Sequence, residues 1–151
     1  MQALFLDAPY AGNVELCPEI LQYLKKKQYT TVALYASVQF VNQLERVREQ
    51  LVDVGITVVT SKADRTHVSS QLLGCDNYHD SLNLDKNKDS ALDAYLYVGD
   101  GKFHPLALVY AQKDQETMKE IVCNDPIQKA MSVMSVADIK TILLKYRGSL
   151  I

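Results

Sequence analysis

Two stretches hold most of the residue types that could do chemistry. QLLGCDNYHD (71–80) sets Cys75, Asp76, His79 and Asp80 beside Gly74, and YVGDGKFHP (97–105) sets Asp100 between two glycines with His104 close behind. A thiolate in a glycine-flanked loop can hold a metal or attack an electrophile. The glycines of Gly99-Asp100-Gly101 allow backbone N–H groups to approach a carboxylate or phosphate closely. His104 can move a proton or ligate a metal, and Asp100 and His104 together could serve as acid and base. Each feature has a plain alternative, since such a turn also links strand to helix and a histidine also starts many helices. Cys75 and His79 are too few for a tetrahedral structural zinc site. LDKNKDSALD (84–93) suggests a calcium loop, but Ser90 stands where the sharp-turn glycine belongs and Leu96 where the bidentate glutamate belongs. It reads as a solvated loop. No Walker-type loop, G-x-S-x-G or G-x-G-x-x-G occurs.

The elements that must position these residues follow from periodicity. Ala3–Leu6 reads as a first buried strand, and Pro18-Glu19-Ile20 opens a helix to about Lys27, with Lys25–Lys27 placed well at its C-terminus. Thr30–Tyr35 is a second strand. Phe40, Val41, Leu44, Val47 and Leu51 recur at helical spacing up to Gly55, and Ile56–Thr60 is a third strand. Residues 61–90 form a long polar loop anchored by Leu72, Leu73, Leu82 and Leu84, with room for a short helix near 79–84. Ala94–Val98 is a fourth strand, His104–Gln112 a buried helix, and Glu120–Cys123 a fifth strand. Ile127–Met134 is a further extended piece, and Ser135–Asp138 caps a last helix reaching about Arg147.

This order predicts one α/β domain over 1–151, a doubly wound, mostly parallel sheet of four to five strands with helices on both faces. Ligands in such folds sit at the carboxyl ends of the strands. That selects Asp7–Asn13, Ser37–Gln39, the Cys75 loop, Gly99–His104 and Cys123–Asp125. At 151 residues the chain can bury roughly two-thirds of its unfolded surface. A net charge of −2 gives no electrostatic case for nucleic acid or an anionic membrane. No apolar run is long enough to span a bilayer, and MQALFLDAPY lacks the basic and apolar regions of a signal peptide, so a cytoplasmic protein is expected. Three cysteines, Cys17, Cys75 and Cys123, argue against a disulfide framework.

The succession ALYASVQFVNQL (33–44), QLLGCDNYHD (71–80), DAYLYVGDGKFHPLAL (93–108) and VCNDP (122–126) resembles the middle domain of the diphthamide synthase family over nearly the whole chain. The resemblance implies a transferase that builds three related domains, each giving one cysteine to a [4Fe-4S] cluster whose open iron takes S-adenosylmethionine. It implies reductive cleavage of a sulfur–carbon bond and transfer of a 3-amino-3-carboxypropyl group to a histidine of elongation factor 2. By motif, Cys75 matches the cluster cysteine, Gly99, Asp100, Gly101 and His104 match the signature turn, and Gln39 matches the polar residue after the second strand. The chain begins where that middle domain begins and stops at RGSLI, so the resemblance supplies one family-type cysteine. Three arrangements follow: a cluster from Cys17, Cys75 and Cys123 in one domain, a homo-oligomer or set of diphthamide synthase subunits pooling their cysteines, or a non-catalytic accessory or ligand-binding module.

Overall fold

The computed structural model describes residues 8–148. The strand expected at Ala3–Leu6 lies outside them. Five strands form one sheet in the order β2-β1-β3-β4-β5: β1 Thr31–Ala36, β2 Thr57–Val59, β3 Ala94–Val98, β4 Glu120–Asp125 and β5 Ala130–Met134. The first four are mutually parallel, and β5 returns antiparallel beside β4. The sheet is thus the doubly wound, mostly parallel one that the sequence pattern predicts.

Apolar residues occupy consecutive positions in β1, β3 and β4 because both faces of these strands are buried. Val32, Leu34, Ala36, Leu96, Val98 and Val122 face one layer, where they meet Ile20 and Leu24 of helix α1 (Pro18–Lys26) and Val47 and Leu51 of α2 (Glu45–Asp53). Ala33, Tyr35, Tyr95, Tyr97, Ile121 and Cys123 face the other, against Leu108 of α4 (Pro105–Ala111) and Ile139 and Leu143 of α5 (Val136–Gly148). The short helix α3, Lys86–Asp89, falls inside the stretch expected to be loop.

Other differences have local causes. The helix predicted from Phe40 onward is split into a 3-10 turn at Val41–Gln43 and α2 from Glu45, although its apolar residues bury as expected. Gly55 ends that helix at φ +81°. The Ile127–Met134 stretch divides into a turn and β5. Asp125 Oδ1 accepts the N–H groups of Ile127 and Gln128 at 2.9 Å each, which reverses the chain and makes β5 antiparallel. Ser135 and Asp138 form the reciprocal cap of α5, with Ser135 Oγ accepting Asp138 N–H at 3.1 Å and Asp138 Oδ2 accepting Ser135 N–H at 2.9 Å.

At the amino edge of the sheet, Asp93 fastens β3 to β1. Its Oδ2 accepts the N–H groups of Thr30 and Thr31 at 2.7 and 2.9 Å and the Thr30 hydroxyl at 3.2 Å. Burial pushes this carboxyl up, but the three hydrogen bonds and the charge of Lys119 outweigh burial and hold it below the ordinary range. A depressed folded-state pKa contributes stability above the unfolded value, near 4, that disappears as pH falls through the folded value. Asp93→Ala is expected to lose about 1–2 kcal/mol at pH 7, with its partial exposure taken into account, and progressively less in acid. Urea denaturation of both proteins at pH 7 and pH 3 checks this, and an equal loss at both values contradicts it.

Candidate functional site

The strand order reverses between β1 and β3, so the crevice of this fold opens where Ala36 and Val98 end. β2 is short and pairs only with Thr31–Ala33, which leaves the last residues of β1 without a neighbour on that side. The returning middle loop takes the place. Ala36 N–H donates to Ser70 O at 2.7 Å, and Leu72 N–H donates to Ala36 O at 2.9 Å, an isolated parallel bridge between Ala36 and Gln71. Ser70 reaches this position at φ +68°. Leu72 is buried beneath, so the next residues, Leu73-Gly74-Cys75-Asp76, emerge at the carboxyl edge of the sheet.

The turn carrying Cys75 is tight. Asp76 N–H donates to Leu73 O at 3.1 Å, and Asp76 Oδ2 accepts Leu73 N–H at 2.8 Å. Asp76 is buried while Cys75 is exposed. Across from it, Gly99 N–H donates to Asn124 O at 3.0 Å, and Ser37 N–H donates to Val98 O at 3.1 Å. Gly101 adopts φ +68°, the left-handed conformation for which glycine suits the turn. The two stretches that hold the reactive residues therefore meet. The ring of Phe103 lies against Gly74 so closely that a Cβ there would overlap it. The same ring stands edge-on to His104 at 5.5 Å.

Gln39, Asp100 and Gly101 are exposed on the same edge, His104 is half-buried at the start of α4, and Gly99 is buried over the Tyr97 phenol. Asp100 and His104 share no hydrogen bond or ion pair among the described residues, so an acid–base pair is not preassembled there. His79 instead faces Asp89 at 3.1 Å. That pair lines a cavity of about 560 Å³ with Tyr95, Gln112 and Lys119, near the amino ends of the strands and away from Cys75.

Cys17 and Cys123 belong to opposite layers of the core, one against each face of the sheet. Burial pushes the Cys17 thiol up, aided by Glu19, and pushes the Cys123 thiol up to about 11 despite a hydrogen bond with Ser132. No group of three His, Cys, Asp or Glu side chains able to hold a metal occurs among the described residues. A cluster from Cys17, Cys75 and Cys123 within one domain is therefore ruled out by the sheet that separates two of them. The donor set fits one thiolate of a shared centre and does not fit a whole one.

Three residues to which the sequence reading gave no individual role matter here. Asn124 is fully buried; its Oδ1 accepts Cys17 N–H at 3.0 Å and its Nδ2 donates to Glu15 O at 2.9 Å, so it joins the start of α1 to the carboxyl end of β4. Ser37 Oγ and Tyr97 OH, at the ends of β1 and β3, are buried without a hydrogen-bond partner among the described residues. Burial pushes the Tyr97 phenol well up, with the nearby Ser37 hydroxyl tempering the rise. The strand-end rule marks the stretches that hold Ser37 and Asn124, and nothing in the sequence singles out Tyr97.

Fold and site together define a doubly wound α/β domain that presents one exposed cysteine and a Gly-Asp-Gly turn at its switch point. The family described as "Putative diphthamide synthesis protein" matches residues 4–151. The chain belongs to that family. It is similar to the 2-(3-amino-3-carboxypropyl)histidine synthase of Pyrococcus horikoshii, with 32% identity over 108 residues, covering 71% of this chain and 28% of that protein. It is also similar to the crystal structure of Dph2 from Pyrococcus horikoshii with a 4Fe-4S cluster, at a TM-score of 0.61 and 26% identity over 87% of this chain and 36% of that one. A second structure of the same Dph2 gives a TM-score of 0.59 at 26% identity, over 85% and 35% of the two chains. The chain spans well under half the length of these relatives.

The burial pattern predicts a selective reaction. Iodoacetamide at neutral pH is expected to label Cys75 and to spare Cys17 and Cys123 until denaturant is added, as peptide mass spectrometry would record. Labelling of Cys123 at the rate of Cys75 in native protein would contradict the geometry.

Proposed function

We propose that this chain is a one-thiolate module of a diphthamide-synthase-type transferase. Cys75 would give one thiolate to a [4Fe-4S] cluster shared with other copies of the chain or with related domains. Gln39, Gly99, Asp100, Gly101 and His104 would border the place of S-adenosylmethionine, and the acceptor would be a histidine of elongation factor 2. The observation that carries this reading is the exposure of Cys75 at the switch point, held against the Gly-Asp-Gly turn through Gly74 and Phe103.

The cluster, when bound, supplies the electron for cleavage of a sulfur–carbon bond. The chain's own residues have simpler tasks. The bridge at Ala36 and Gln71 and the Asp76 turn hold the thiol at the edge of the sheet. The left-handed backbone at Gly101 would let N–H groups of the turn approach an anionic group bound there. The buried layer beneath keeps water from below the site. No helix among the described residues is long and apolar enough to cross a membrane. A role in the cytoplasm belongs to the same proposal.

The burial of Cys17 and Cys123 favours a second reading, a non-catalytic accessory or binding module that keeps the fold. Anaerobic reconstitution with ferrous iron and sulfide, read by native mass and iron content, separates the two. The first expects iron only in species heavier than the monomer, lost in Cys75→Ala and kept in Cys17→Ala and Cys123→Ala. Protein that stays iron-free in every assembly, yet releases or takes up heat with S-adenosylmethionine, supports the second and sinks the first.

A further inference from the structure

Phe103 is a large apolar side chain left 70% exposed, and it belongs to neither core layer. Burial does not explain its place, but one contact does. A Cβ built on Gly74 would overlap Cε1 of the ring and lie 2.9 and 3.0 Å from Cζ and Cδ1, so the ring rests on bare backbone one residue before Cys75. Leu106 N–H donates to Phe103 O at 3.2 Å, which fixes the backbone that carries the ring. From the other side, buried Asp76 is bonded in both directions to Leu73, at 3.1 and 2.8 Å. The Leu73–Asp76 turn is thus gripped from within by Asp76 and from outside by Phe103.

We infer that Phe103 is a positioning residue for Cys75, clamping the thiol-bearing turn through Gly74 and tying it to the Gly-Asp-Gly turn. Gly74 is the seat of the ring, and this contact joins the loop after β2 to the loop after β3. The inference rests on the reading of Cys75 as the functional thiol, but it can be measured without iron.

The test is the rate of Cys75 alkylation in the full chain at one pH, with Cys17 and Cys123 as internal reporters of global opening. Phe103→Ala is expected to speed Cys75 labelling by about threefold to tenfold through local release of the turn, while Phe103→Tyr stays near wild type. Gly74→Ala, which displaces the ring, is expected to give a similar acceleration. Gly74→Ala added to Phe103→Ala should give no further change, because the two substitutions break the same contact. An unchanged rate in Phe103→Ala, multiplying effects in the double variant, or parallel acceleration of Cys17 and Cys123 would each overturn the inference. If the cycle holds and reconstitution yields no iron, only the cluster reading fails.

Discussion

Two backbone hydrogen bonds at the end of β1, Ala36 to Ser70 and Leu72 to Ala36, govern the arrangement of the site. They exist because β2 stops at Val59 and leaves the edge of β1 open where the crevice begins. An unpaired buried strand end costs free energy of the order of a lost hydrogen bond for each group, so the returning chain is drawn to it. Once Gln71 occupies that position, the Cys75 turn has little choice of location. Its side of the crevice is set by the bridge, and its height above the sheet by buried Leu72. A longer β2 would have paired Ala36 itself and sent the loop elsewhere.

Most of the scaffold was legible because burial on both faces writes itself into sequence as unbroken apolar runs. TVALYA and AYLYV could be little else, and the proline at Pro18, the glycine at Gly55 and the Ser135–Asp138 pair each marked a helix boundary for a chemical reason. The middle loop was not legible because long-range polar contacts order it and these leave no period. Tyr35 OH meets Ser61 Oγ at 2.7 Å, and Asn83, at φ +54°, donates to Lys62 O and Asp64 Oδ1 at 3.0 and 2.7 Å. The role of Asn124 is of the same kind, since its partners are more than a hundred residues away in sequence. The candidate site was half legible. Its residue types stood out in two stretches, but only the fold shows that Gly74 and Phe103 bring those stretches into contact.

The three cysteines show how far residue type alone can mislead. Cys75 and Cys123 fall in stretches selected at the carboxyl ends of strands, and Cys17 lies just before the first helix, which made a self-contained ligand set thinkable. The alternation of strand side chains decides otherwise. Cys123 follows Val122, so it points to the opposite face from the layer that holds Cys17. No rotamer change carries a thiol through a hydrogen-bonded sheet. Under the proposed function, Cys75 would be this chain's one thiolate and a polynuclear centre would draw its remaining ligands from outside that turn.

The same edge holds buried polar atoms that the fold itself leaves without a partner. Among the described residues, the buried side-chain atoms left without a hydrogen-bond partner are Ser37 Oγ, Asp76 Oδ1, Asn77 Oδ1 and Tyr97 OH. Ser37 and Tyr97 end the two strands that flank the switch point, and Asp76 and Asn77 follow the exposed thiol. These polar atoms lie where the fold has its crevice, whereas the buried Tyr35 hydroxyl deeper in the core is bonded to Ser61. Under the proposed function, these groups border the edge at which Cys75 would act.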